Sequence, residues 1–142
     1  MTNNKAGNFS FFNSFAYIDA RYTSGPYKGN DVEYAPKIIN RIGVTYSKSI
    51  FSTTFLLSTT AKSYGDASNV VLSTDPSAGI IPAYTVMDWS ATLKPKSNYH
   101  FKAGVNNVAD RKYFTKRTTE YPGPGIIPAM GRSFYVSFGA TF

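Results

Sequence analysis

The chain has 142 residues, a formal charge of +7, eleven Phe, eleven Tyr, a single Trp and no Cys. The lack of cysteine excludes disulfides, thiolate zinc sites and thiol catalysis. No run of roughly 18 apolar residues is present, which excludes a transmembrane helix but leaves open membrane-crossing strands of about ten alternating residues.

The first predicted strand runs from about Ser10 to Thr23. Phe12, Ser14, Ala16, Ile18, Ala20 and Tyr22 fall on one face, read as the apolar one. Asn13, Phe15, Tyr17, Asp19 and Arg21 fall on the other, because side chains alternate along a strand. Ser24 to Asp31 is dense in turn formers and reads as a loop. A second strand, Lys37 to Ser47, sets Ile42, Val44 and Tyr46 against Arg41, Gly43, Thr45 and Ser47.

After a short reversal at Lys48-Ser49, a third strand runs from Ile50 to about Tyr64. Thr53, Phe55, Leu57 and Ala61 oppose Ser52, Thr54, Ser58, Thr60 and Lys62, with Leu56 interrupting the alternation. Residues 65–83 form a long connection broken by Pro76, Gly79 and Pro82. The fourth strand, Tyr84 to Leu93, sets Thr85, Met87, Trp89, Ala91 and Leu93 against Val86, Asp88, Ser90 and Thr92. A tight connection at Lys94 to Asn98 leads to a fifth strand, Tyr99 to Asn106, on which Tyr99, Phe101, Ala103 and Val105 oppose His100, Lys102 and Gly104.

A third long connection, Asn107 to Gly131, precedes the last strand from Arg132. There Phe134, Val136, Phe138, Ala140 and Phe142 share one face. The connections thus alternate long and short, and no segment carries the apolar stripe of a helix. The fold class is all-β, an antiparallel meander of about six strands. A soluble barrel of lipocalin type would hide its apolar faces in a core and show a charged exterior. Here the polar faces are mostly Ser, Thr, Asn and Gly, with the charges gathered in the connections, as expected of a transmembrane barrel wall.

At Gly104-Val105-Asn106-Asn107-Val108-Ala109-Asp110-Arg111-Lys112-Tyr113 the chain resembles the penultimate-strand motif of TonB-dependent outer-membrane receptors, Gly-Val-x-Asn-Leu-Phe-Asp-x-x-Tyr. Gly104, Val105, Asn107, Asp110 and Tyr113 match, whereas Val108 and Ala109 depart from Leu-Phe. Gly131-Arg132-Ser133-Phe134-Tyr135 is similar to the entry of that family's last strand. The resemblance implies the C-terminal part of a 22-stranded barrel whose plug domain is absent from this chain, since six strands cannot enclose a plugged lumen. The N-terminal residues show no signal peptide, in keeping with a piece of a longer protein.

The resemblance further implies an outer-membrane location and uptake of an iron(III) complex, a siderophore or, from the Tyr113-Phe114-Thr115 and Tyr121-Pro122-Gly123-Pro124-Gly125 stretches, ferric citrate. Uptake of a carbohydrate or other nutrient is the alternative. The implied partners are membrane lipid, a TonB-type energy-coupling protein acting through the plug, and the barrel assembly machinery. That machinery would recognise the last strand through Phe134, Val136, Phe138 and the terminal Phe142. No cofactor is implied, and nucleic acid is not expected because the basic residues are scattered.

Catalysis has little to rest on. His100 has no second His or Cys with which to ligate a metal or form a dyad. Asp19, Arg21, Arg41, Lys62, Asp88 and Lys102 are expected to face the lumen, their carboxylates and cations pairing there. Arg111, Lys112, Lys116 and Arg117 in the last long connection are expected to attract an anionic ligand, or else to meet lipopolysaccharide phosphates or loop carboxylates.

Overall fold

A computed structural model describes residues 6–120 and 123–141. Phe142, Tyr121 and Pro122 lie outside the described residues. The strands are β1 (Asn8–Tyr17), β2 (Ile38–Lys48), β3 (Phe51–Thr60), β4 (Ser63–Tyr64), β5 (Ile80–Ile81), β6 (Tyr84–Lys96), β7 (Tyr99–Asn106), β8 (Phe114–Thr118), β9 (Gly125–Pro128) and β10 (Ser133–Ala140).

Six of them form one antiparallel sheet in the order β1-β2-β3-β6-β7-β10. Short turns join β2 to β3 and β6 to β7 at one end, and three long connections rise from the other. These connections carry two small hairpins, β4 with β5 and β8 with β9, which the sequence does not announce because neither is long enough to show a period of two.

The register assigns the faces. Phe11 lies opposite Val44, Val44 opposite Phe55, Phe55 opposite Trp89, Trp89 opposite Val105, and Val105 opposite Phe134. Directly opposed residues share a face, so this row is apolar across the whole sheet. The other face carries rows such as Ser14, Arg41, Ser58 and Val86.

The expected faces hold for five of the main strands and are reversed for β1. Phe9, Phe11, Asn13, Phe15 and Tyr17 share the apolar side, while Phe12, Ser14 and Ala16 lie on the polar side. β1 has phenylalanine at both parities, so its own alternation was a poor guide. β1 also ends at Tyr17, and the residues beyond it fold into a loop ladder. In that ladder Val32 N–H donates to the Ala20 carbonyl and Tyr22 N–H to the Asn30 carbonyl.

Asp19 and Arg21 therefore leave the sheet and bond to each other at 2.8 Å, rather than facing a lumen from a strand. Lys62 is likewise past the end of β3, with its ammonium 5.9 Å from the Tyr64 ring centre. Leu56 has an account in the fold. It falls on the polar face beside Gly43, where an added methyl would meet Leu56 Cδ1 at 3.5 Å and Phe12 Cδ1 at 3.6 Å. The two large side chains cover the bare glycine backbone, the device by which aromatic and aliphatic neighbours stabilise glycines within sheets.

Among the described residues no second layer covers the apolar face. Among the described residues only Ile81 and Val86 are buried hydrophobics, while Phe11, Phe134 and Val136 are 76%, 74% and 83% exposed. β1 and β10 are open edges, so the closed soluble barrel considered from the sequence is not formed. The architecture is an antiparallel barrel-wall segment, one apolar and one polar surface on a single sheet.

Candidate functional site

The polar face and the long-connection end meet in two adjoining clefts. One, of about 400 Å³, is lined by Arg41, Ser58, Tyr84, Asp88, Asn106 and Tyr113 among others. The second, of about 300 Å³, adds Tyr34, Ala61, Ile81 and Thr115. Arg41 lines both, set there by its place opposite Ser14 and Ser58. It is exposed and makes no salt bridge among the described residues.

Asp88 lies on the same polar face, opposite Leu56, and its Oδ1 accepts the Asn107 backbone N–H at 2.8 Å. Lys102 also holds the polar face, further toward the short turns, with its ammonium 5.7 Å from the Tyr135 ring centre. Of the six residues expected to face the lumen, Arg41, Asp88 and Lys102 lie on the polar face of the sheet by register.

The motif around Asn107 is a latch that turns the chain out of β7. Asn107 is only 3% exposed. Its Nδ2 donates to the Arg111 carbonyl at 2.9 Å, and its Oδ1 accepts the Arg111 N–H at 2.9 Å. Asn107 and Asp110 both have positive φ, 51° and 49°, a region that Asn and Asp tolerate better than bulkier residues. Asp110 Oδ1 accepts the Arg132 N–H at 2.9 Å, which draws the start of β10 to the end of β7.

The Arg132 N–H, with the Lys112 ammonium beside it, holds the Asp110 carboxyl below the usual carboxylate range. Gly131 leaves room for that carboxylate, since a methyl there would come within 2.9 Å of Asp110 Oδ1. Gly104 serves β7 in a similar way, because a methyl would lie 2.5 Å from the Tyr135 ring that crosses it. Tyr113 ends the motif by stacking on Tyr84 at 4.4 Å, and burial raises its phenol. The motif residues are therefore structural.

The three long connections are tied to one another. Tyr34 N–H donates to the Tyr64 carbonyl at 2.9 Å, and its hydroxyl donates to the Arg117 carbonyl at 2.7 Å. The Arg117 guanidinium spans to the β4–β5 connection, donating to the Ile80 carbonyl at 3.1 and 3.2 Å and to the Pro76 carbonyl at 2.9 Å.

The four cations expected to act together on a ligand are thus dispersed. Arg117 is committed to neighbouring loops, and Lys112 pairs with Asp110 at 3.1 Å. Lys116 stands exposed on β8. Arg111 and Lys112 line a separate cleft of about 310 Å³ with Thr59 and Thr85, residues of the apolar-face register.

Sequence reasoning missed Tyr34 and Tyr84 as lining groups. Tyr84 was legible in principle, since it shares its parity with Val86 and Asp88; Tyr34 sits in a connection where no period applies. One guanidinium with phenols and amides around it is suited to binding an oxygen-rich anion through charge and hydrogen bonds. Among the described residues no group of three or more His, Asp or Glu is placed to hold a metal ion.

Comparison with known proteins gives one family and one set of folds. The family model described as TonB dependent receptor-like, beta-barrel matches residues 4–108. The unliganded ferric citrate transporter FecA is 26% identical with a TM-score of 0.86, over 95% of this chain and 21% of that one. The siderophore receptor PiuA from Acinetobacter baumannii is 22% identical with a TM-score of 0.73, over 98% and 20%. The ferric yersiniabactin uptake receptor FyuA from Yersinia pestis is 17% identical with a TM-score of 0.76, over 94% and 21%. The chain spans about a fifth of the length of these receptors. The comparison with curated proteins found no match.

Proposed function

Because this chain belongs to the TonB dependent receptor-like β-barrel family, we propose that it is the C-terminal wall of an outer-membrane receptor that imports an iron(III) complex. The observation that carries the reading is Arg41 on the polar face, without a salt bridge among the described residues and lining two clefts beneath the tied loops. Ferric complexes of hydroxycarboxylates are anionic, and a guanidinium flanked by phenols matches their carboxylate oxygens. The finer choice of ferric citrate is supported by the ferric citrate transporter, whose identity and TM-score exceed those of the two siderophore receptors.

In this reading the apolar face meets membrane lipid, and β1 and β10 pair with barrel strands outside this chain, since open edges are not tolerated in hydrocarbon. A plug domain outside the chain couples to a TonB-type partner. The barrel assembly machinery recognises the last strand through Phe134, Val136, Phe138 and Phe142. Of the four cations in the last long connection, Arg111 and Lys116 have neither a carboxylate nor a carbonyl partner for their side chains among the described residues, and they attract the complex to the mouth. Transport involves no covalent step.

The test uses the full-length receptor in cells lacking other iron receptors, with radioactive iron supplied as citrate, hydroxamate and catecholate complexes. Uptake of the citrate complex is expected, abolished when the energy-coupling protein is deleted. Arg41→Gln should raise the half-saturating concentration by about tenfold, the worth of one charge-assisted contact. No uptake of any iron complex, with growth restored instead by an oligosaccharide, would replace the iron reading with the carbohydrate one.

A further inference from the structure

The short-turn end of the sheet has a composition unlike the rest. Seven of the eight acidic residues lie in the three long connections, and the eighth, Asp88, is bonded to Asn107 beside them. The short turns hold only cations: Lys48 on one, Lys94 and Lys96 on the other. Lys94 N–H donates to the Ile50 carbonyl at 2.7 Å, which binds the two turns into one rim. All three lysines are exposed, and none has a carboxylate partner among the described residues.

Register puts two of these lysines on the apolar face. Lys48 lies opposite Phe51, and Lys96 opposite Tyr99. The row that starts at Lys48 continues across four strands as Phe51, Leu93, Phe101 and Phe138, all large. The row behind it reads Thr53, Ala91, Ala103 and Val136. Small side chains behind large ones leave an apolar groove of about 180 Å³, lined chiefly by Phe51, Ala91, Leu93, Phe101, Ala103 and Val136.

An apolar groove adjoined on its own face by Lys48 and Lys96, neither with a carboxylate partner among the described residues, suits an anionic amphiphile. From this we infer that the short-turn end is a binding site for an anionic glycerophospholipid. The lysines hold the headgroup phosphate, and one acyl chain lies over the depression at Ala91 and Ala103. Lysine stems of four methylenes can follow the apolar surface while the ammonium stays at the headgroup level. The long-connection end differs in having carboxylates interspersed among its cations, as where Asp110 pairs with Lys112. The inference rests on the barrel-wall reading, which places the apolar face in lipid and the short turns at the periplasmic leaflet.

Native mass spectrometry of the full-length receptor in detergent tests it, with equimolar dioleoylphosphatidylglycerol and dioleoylphosphatidylcholine as probes. The receptor should retain a phosphatidylglycerol adduct in at least tenfold preference. Each lysine near an anionic surface is worth about 1 kcal/mol, roughly fivefold. The triple variant Lys48→Gln, Lys94→Gln, Lys96→Gln should therefore lose the preference, and the corresponding triple Arg variant should keep it. Ala103→Leu, which fills the groove, should weaken retention of both lipids. Equal adducts on the unaltered receptor would overturn the site while leaving the barrel intact, whatever the variants do. A receptor that remains folded and soluble after detergent removal would overturn the membrane reading and the site with it.

Discussion

Asn107→Ala is the most informative single change, because its cost follows from bonds that can be counted. The substitution removes the Nδ2 bond to the Arg111 carbonyl and the Oδ1 bond from the Arg111 N–H, each 2.9 Å long. An orphaned buried polar group costs about 1–3 kcal/mol, and the exposure of Arg111 places both of its groups near the lower bound. The φ of 51° adds about 1 kcal/mol for alanine, which lacks the local hydrogen bond that lets asparagine occupy this region.

Together these amount to about 3 kcal/mol, roughly a hundredfold in the opening equilibrium of the latch. Hydrogen exchange on the full-length receptor in detergent reads that opening at the Val108, Asp110 and Arg111 amides. Their protection should fall by about two orders of magnitude, whereas amides in the centre of β3 should not change. Asn107→Gly keeps the backbone conformation and loses only the side-chain bonds, so its effect should be about fivefold smaller. If Arg111 exchanges at the same rate in wild type and Asn107→Ala, the latch assignment is wrong.

Two further predictions concern the loops. Arg117→Ala should detach the β8–β9 hairpin from Ile80 and Pro76, raising the rate of proteolytic cleavage within residues 70–80 by about tenfold. Lysine at this position should not restore resistance, because a single ammonium lacks the fork that reaches both carbonyls; equal resistance in the Lys variant would count against the tie. The Asp110 carboxyl is lowered first by the Arg132 N–H and then by Lys112. A depressed folded value means its stabilisation is present above the unfolded value near 3.9 and is lost as pH falls through the folded one. Protection of the Arg132 amide should hold from pH 6 down to about 4, decline below that, and show no such decline in Asp110→Asn. A decline that already begins above pH 5 would assign the effect to another group.

Legibility in the sequence varied with the strength of the local period. β2, β3, β6, β7 and β10 each concentrate apolar groups at one parity and polar ones at the other, so the apolar face could be read. β1 carries phenylalanine at positions 9, 11, 12 and 15, and nothing within it decides which parity is apolar. Pairing with β2 decides, by putting Phe11 against Val44 and Phe12 against Gly43. The loop cations were unreadable for a different reason. A lysine or arginine in a connection has the same local sequence signal whether it faces solvent, a carboxylate or a carbonyl. Arg117 became a tie only because folding brings Pro76 and Ile80 to it from another connection.

By itself the sequence determined the all-β class, the alternation of long and short connections and the two-surfaced character of the sheet. Those properties come from side-chain parity along an extended chain, and parity is local. Tertiary structure alone decided which groups share a cleft and which charges are spent. Arg41 stands with Tyr34 and Tyr84 because strands far apart in sequence lie within one sheet and its overhanging loops. The acidic residues cluster at one end and Lys48, Lys94 and Lys96 gather at the other for the same reason. An antiparallel meander returns every second connection to the same edge, and so sorts into two opposite ends charges that are interspersed along the chain.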